Sequence, residues 1–176
     1  MRYVIVCVVE GEAGRFNNRL RTELWEKMKV RSSKLPAHFT IKAPFEYEGK
    51  LTELEQRLEA FSQKEQAASF KLEGYNHFDD RVIYMEVHMS EEGKALHERL
   101  IEELEQVPYI EFNKQDGKDK IFHVTVSSKK LKPVYQEVWT YVQQYPCEFS
   151  CSFDNISIYE WRENTWQIYK VYRLAK

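Results

Sequence analysis

The chain has 176 residues, of which 43% are apolar, enough for one sizeable core and close to the usual size of a single domain. Its 26 Lys and Arg are balanced by 28 Asp and Glu, which excludes a general electrostatic attraction to a nucleic-acid backbone. Any anion must be captured locally, and no stretch is long enough to cross a bilayer.

In chain order, the first element is the apolar run from Tyr3 to Val9, followed at once by Glu10-Gly11-Glu12. So short a run, with acidic residues where a cleavage site should lie, reads as a buried strand and not a signal peptide, so a cytoplasmic location is expected. Phe16, Leu20, Leu24 and Met28 recur every fourth position and predict an amphipathic helix. The segment from Pro36 to Pro44 is too short for a helix, and polar and apolar residues alternate from His38 to Lys42, which predicts a strand. Thr52 and Glu55 have the spacing of a capping box, and Leu51, Leu54, Leu58 and Phe61 give the next helix its apolar stripe.

The second half repeats this order. A strand is predicted at Val82 to Met89, a helix carrying Leu96, Leu100, Ile101 and Leu104, a strand at Ile121 to Ser127, and a helix from about Pro133 to Gln143. His38 follows Val4 by 34 residues and His123 follows Val82 by 41, so each histidine holds the same place in its own half. The halves therefore read as a duplication, with approximate lobes 1–76 and 77–152 inside a single domain 1–176. Two such lobes packed about an approximate two-fold axis would bring the histidines to a shared cleft. Residues 153–176 read as closing strands, a hairpin joined through Arg162-Glu163-Asn164.

Side chains alternate faces along a strand, so His38, Thr40 and Lys42 share one face and Phe39 and Ile41 the other. His123, Thr125 and Ser127 repeat the pattern, with Phe122, Val124 and Val126 opposite. Two imidazoles suit cleavage of a cyclic phosphodiester, which needs a base for water and an acid for the departing sugar oxygen. Threonine hydroxyls can donate to the non-bridging phosphate oxygens, and no metal or other cofactor is required. One His-x-Thr is a weak signal, whereas two at equivalent places are a strong one.

His38-Phe39-Thr40-Ile41 and His123-Val124-Thr125-Val126 resemble the paired HxTx signatures of the 2H phosphoesterases, in particular the bacterial 2'-5' RNA ligase-like group. The resemblance spans nearly the whole chain. It implies a bilobal α+β fold with mainly antiparallel sheets lining a central cleft and helices outside. It also implies His38, His123, Thr40 and Thr125 as catalytic residues. The implied substrate is a small nucleotide or an RNA end carrying a 2',3'-cyclic phosphate or a related 2'-5' linkage. Reversible ligation uses the same residues, and a non-catalytic RNA-binding module is the alternative from another class. No obligate protein partner is indicated.

Strand parity adds Lys42 and Ser127 as further phosphate contacts; if the lobes face each other, Tyr159, Trp161 or Trp166 is available to stack a base, although core packing accounts better for most of these aromatics. Basic residues at Lys27, Lys29, Arg31 and Lys34, and at Lys129, Lys130 and Lys132, read either as solvated surface or as flanks of the cleft. His88-Met89-Ser90 also fits His-x-Ser, but it ends a strand and Ser90, ahead of Glu91 and Glu92, is placed to cap the following helix, while His77 and His97 have no partner visible in the sequence. Metal-ligand spacing is lacking among the histidines, and Cys7, Cys147 and Cys151, without a CxxC pair, are expected as reduced thiols.

Overall fold

The structure is a computed structural model describing residues 1–114 and 116–176. Its elements run β1 (Arg2–Val8), α1 (Gly11–Met28), β2 (His38–Glu46), α2 (Thr52–Lys64), β3 (Ala68–Phe78), β4 (Val82–Met89), α3 (Glu91–Glu105), β5 (His123–Ser127), a 3-10 turn (Lys132–Val134), α4 (Tyr135–Gln143), β6 (Glu148–Phe153), β7 (Asn155–Arg162) and β8 (Thr165–Arg173). The order strand, helix, strand, helix, strand thus occurs twice before the final hairpin.

Two four-stranded sheets result, ordered β2-β1-β7-β8 and β5-β4-β3-β6, with antiparallel neighbours throughout. The sheets do not divide the chain where the element repeat does. β3 runs to residue 78 and pairs with β4 and β6, so the whole of it lies in the second sheet, and β7 takes the corresponding place beside β1. Sequence order cannot show this, because strand pairing is set by contacts far apart along the chain.

β1 is a central strand buried on both faces: Tyr3, Ile5 and Cys7 enter the main core, while Val4 and Val6 pack with Leu35 and Tyr159 on the other side. The main core is continuous across both sheets and the helices, from Phe39 and Ile41 to Val124, Val126 and Phe153. Phe39 sits at its centre, edge-on to Phe70, Phe122 and Phe153 at 5.5, 5.3 and 5.1 Å. The β7–β8 turn places Glu163 and Asn164 at positive φ, as a tight hairpin requires.

Two helix starts differ in detail. Ser90 caps α3 by accepting from Gly93 N–H at 3.0 Å. Thr52, by contrast, is the first residue of α2 and does not cap it; Leu51 is the N-cap, and the free Leu54 N–H is taken by the Tyr109 hydroxyl at 3.1 Å. A tertiary partner here does what the local box was expected to do.

Candidate active site

Both His-x-Thr strands are edge strands, β2 in one sheet and β5 in the other, and they lie against each other at the seam. The seam is closed by a reciprocal pair of straps. Ala43 N–H donates to Asp116 Oδ1 at 2.9 Å, and Ser128 N–H donates to the Arg31 carbonyl at 2.8 Å. Ala43 and Ser128 each lie five residues after their own histidine, and Asp116 and Arg31 each lie seven before the opposite one. The two bonds thus stand at equivalent places in the element repeat.

Register fixes which side chains share the outer face. His38 lies opposite Val8 and Thr40 opposite Val6, while Val6 and Val4 lie opposite Ser157 and Tyr159. In the second sheet His123 lies opposite Glu86, and Thr125 opposite Tyr84. His38, Thr40, His123 and Thr125 are all half-buried, whereas Phe39, Ile41, Val124 and Val126 between and beyond them are buried. Apolar residues thus anchor each strand and leave imidazole and hydroxyl on the accessible side.

The two imidazoles are held alike. His38 Nδ1 lies 2.7 Å from the Pro36 carbonyl and His123 Nδ1 lies 3.0 Å from the Ile121 carbonyl. A carbonyl only accepts, so each Nδ1 carries the hydrogen and each Nε2 is left with its lone pair. Burial pushes the His38 pKa down to about 4; the Pro36 carbonyl opposes this, and the charges of Arg21 and His123 add to it. His123 is also lowered, first by burial and further by Lys120, against the Ile121 carbonyl. Phe78 stands edge-on to the His123 ring at 5.1 Å, and Tyr84 lies 5.3 Å from it. Tyr84 and Glu86, with Ile121 and Phe122, also line a cavity of about 500 Å3.

Lys42 and Ser127 are not on this face, contrary to strand parity. Each strand carries a bulge immediately after its threonine: Ile5 pairs with Lys42 but the next residue, Val6, with Thr40, and Ile83 pairs with Ser127 but Tyr84 with Thr125. The extra residues, Ile41 and Val126, break the alternation and turn their successors inward. Lys42 is 1% exposed, ion-paired with Asp116 at 3.0 Å and flanked by the Phe45 and Phe112 rings. Ser127 is fully buried with no partner for its hydroxyl among the described residues. Neither is free to meet a phosphate.

Tyr159 does share the face of His38 and Thr40, although it is largely buried against Val4, Val6 and Leu35. Trp161 and Trp166 pair across the hairpin at 5.2 Å, the first beneath Lys34 and the second beneath Arg2. The two basic clusters are brought together, because Arg31 and Lys129 form a β-bridge across the seam. Arg31 lies 3.8 Å over the exposed Trp25 ring. His77 packs on Tyr135 and Trp139, away from the motifs, and His97 is buried edge-on to Phe122.

Four polar residues without a role in the sequence reading prove to support the motifs. Lys120 donates to the Thr40 and Ile41 carbonyls at 2.9 and 3.2 Å, and Asn17 donates to the Thr125 carbonyl at 3.2 Å. Asn155 bonds both the N–H and the carbonyl of Val8, beside His38, at 2.9 Å each. Asp116 accepts from Ala43, Lys42 and Asn113. Asn17 had a signal, since it continues the buried stripe Ala13, Leu20 and Leu24 of α1. Asp116 and Lys120 had none, lying in an aperiodic charged loop. Among the described residues no group of three or more His, Cys, Asp or Glu is arranged to hold a metal, and no helix is long and apolar enough to cross a membrane.

Two histidine-threonine strands meeting at the seam of a duplicated α+β fold are the arrangement of a two-histidine phosphoesterase. The chain belongs to the 2'-5' RNA ligase superfamily, whose family model matches residues 12–165. Its fold is that of TT0787 of Thermus thermophilus, at 14% identity and a TM-score of 0.65 over 99% of this chain and 98% of that one. E. coli LigT complexed with NADP+ has the same fold, at 14% identity and a TM-score of 0.64 over the same shares. LigT complexed with 3'-AMP superposes at 14% identity with a TM-score of 0.61, again over 99% and 98%. No curated protein sequence matches the chain.

Proposed function

We propose that this protein is a metal-independent phosphoesterase that opens a 2',3'-cyclic phosphate, or a related 2'-5' linkage, on a nucleotide or RNA end. The observation that carries the reading is the matched presentation of His38 and His123, each with Nδ1 tied to a carbonyl and Nε2 left to exchange a proton. Crystallisation of LigT with 3'-AMP and with phosphate supports a ligand of this size and charge. One imidazole takes a proton from water as its oxygen bonds to phosphorus, and the other gives a proton to the 3'-oxygen as the P–O3' bond breaks. A 2'-phosphomonoester is left. Thr40 and Thr125 donate to the non-bridging oxygens, where charge must be held through the transition state.

Because both imidazoles are pushed below 6.5, the free enzyme holds one protonated and one neutral only on the acid side of neutrality. The pH profile of kcat/KM is therefore a bell whose maximum lies below pH 6.5, falling up to about tenfold per unit above it. The direct test is incubation with 2',3'-cyclic nucleotides and a short RNA with a cyclic end, in EDTA, with products resolved by chromatography. Turnover by the wild type that His38→Ala and His123→Ala both lose is the expected result. Mutant rates equal to wild type remove the assignment, and a joined RNA product in place of a monoester reassigns the direction to ligation.

A further inference from the structure

The carbonyls of the two motif threonines are gripped by side chains from the opposite halves of the chain. Lys120, three residues ahead of His123, reaches across the seam to Thr40 and Ile41, the residues of the β2 bulge. Asn17, on the helix between β1 and β2, reaches to Thr125 in β5 and is fully buried. Edge strands have no sheet partner on the seam side to hold these carbonyls. Here side chains of the other half supply donors to them.

We propose, on the two-histidine reading above, that Lys120 and Asn17 are positioning residues that set the spacing of Thr40 and Thr125 across the phosphate. The Lys120 ammonium has a second effect because it sits between the motifs. Asp116 and Lys42 flank it, and His97 and His123 both feel its charge. His38, Tyr84, Glu86 and Phe78 are the other groups that act on or face His123. Lys120 thereby adds to burial in favouring the neutral form of His123.

The test uses the full chain and a 2',3'-cyclic nucleotide. Imidazole proton resonances give the His123 titration midpoint without any turnover. It moves upward in Lys120→Met and stays low in Lys120→Arg. In kinetics Lys120→Met lowers kcat about ten- to a hundredfold with little change in KM, as expected for misplaced reacting groups. Asn17→Ala lowers kcat in the same way and leaves the His123 midpoint where it was. Lys118→Met, which removes only the surface pair with Glu102, changes neither. Should Lys120→Met not fold, Lys120→Gln keeps a donor without the charge, and its His123 midpoint must still rise. An unmoved midpoint with wild-type kcat overturns the proposal. Absence of wild-type turnover counts against the two-histidine reading alone, and the midpoint still decides for Lys120.

Discussion

The two ends of the seam solve one problem with different chemistry. Each must satisfy an N–H five residues past a motif histidine, within or just beyond an edge strand. At Ser128 the acceptor is the Arg31 backbone carbonyl, which also takes the Lys129 N–H at 2.8 Å, so the strap is indifferent to the side chain at 31. At Ala43 the acceptor is the Asp116 side chain, which brings a charge indoors and with it Lys42, their side chains 1% and 2% exposed. Burial alone would raise the Asp116 pKa, but the Ala43 N–H, the Lys42 ammonium and the Asn113 N–H outweigh it and hold the carboxyl below its ordinary value. A backbone strap tolerates substitution, whereas a buried ionic one depends on both partners.

The largest expected effect tests whether the halves are equivalent in chemistry. His38→Ala and His123→Ala should each lower kcat/KM by about 10²–10⁴. A loss at only one histidine, in steady-state assays with a cyclic nucleotide, would break the symmetry. Next comes the contrast between the straps. Asp116→Ala leaves Lys42 charged and unpaired in the core and should cost about 3–5 kcal/mol in urea unfolding.

Acid weakens the fold through a third pair of equivalent positions. His97 and Asn17 are each the seventh residue of their helix, and both are fully buried. Burial pushes His97 down to about 4, with Lys120 adding to the shift. The unfolded chain therefore binds the extra proton first. Stability from this residue is present above about pH 6.5 and is lost as pH falls toward 4, by roughly 3 kcal/mol. Urea midpoints across that range should show the slope, and His97→Asn, which copies the residue of the other half, should lessen it while leaving the share of His38, which burial also pushes down to about 4. The smallest effect is at Arg31→Ala, which keeps the carbonyl and loses only the contact with Trp25. About 0.5–1 kcal/mol is expected, and a cost as large as that of Asp116→Ala would refute the backbone account of the strap.

The order of elements and the four motif positions are legible in the sequence because both rest on local periodicity: apolar residues every fourth position for α1, and alternation from His38 to Thr40 and from His123 to Thr125. Lys42 and Ser127 depart from strand parity because one inserted residue in each strand shifts it, and a bulge leaves no mark in a run of β-branched and polar residues. Thr52 does not cap its helix because Tyr109, distant in sequence, supplies the partner. Lys120 and Asp116 lie in a charged loop, where solvation is the ordinary fate of such residues, and only the tertiary seam gives them partners. β3 falls at the expected point in the chain but joins the other sheet, since a strand carries no record of which edge it will meet.

The edge position of β2 and β5 has a further consequence. An unpaired sheet border that presents a row of amide and carbonyl groups is an open invitation to foreign strands, and proteins ordinarily blunt it with charge or proline. Here Pro44 in β2 is one such guard, and the second is the opposing half itself. The repeated arrangement turns two sticky margins toward one another and ties them together, so the vulnerable borders cover each other instead of serving as templates for aggregation.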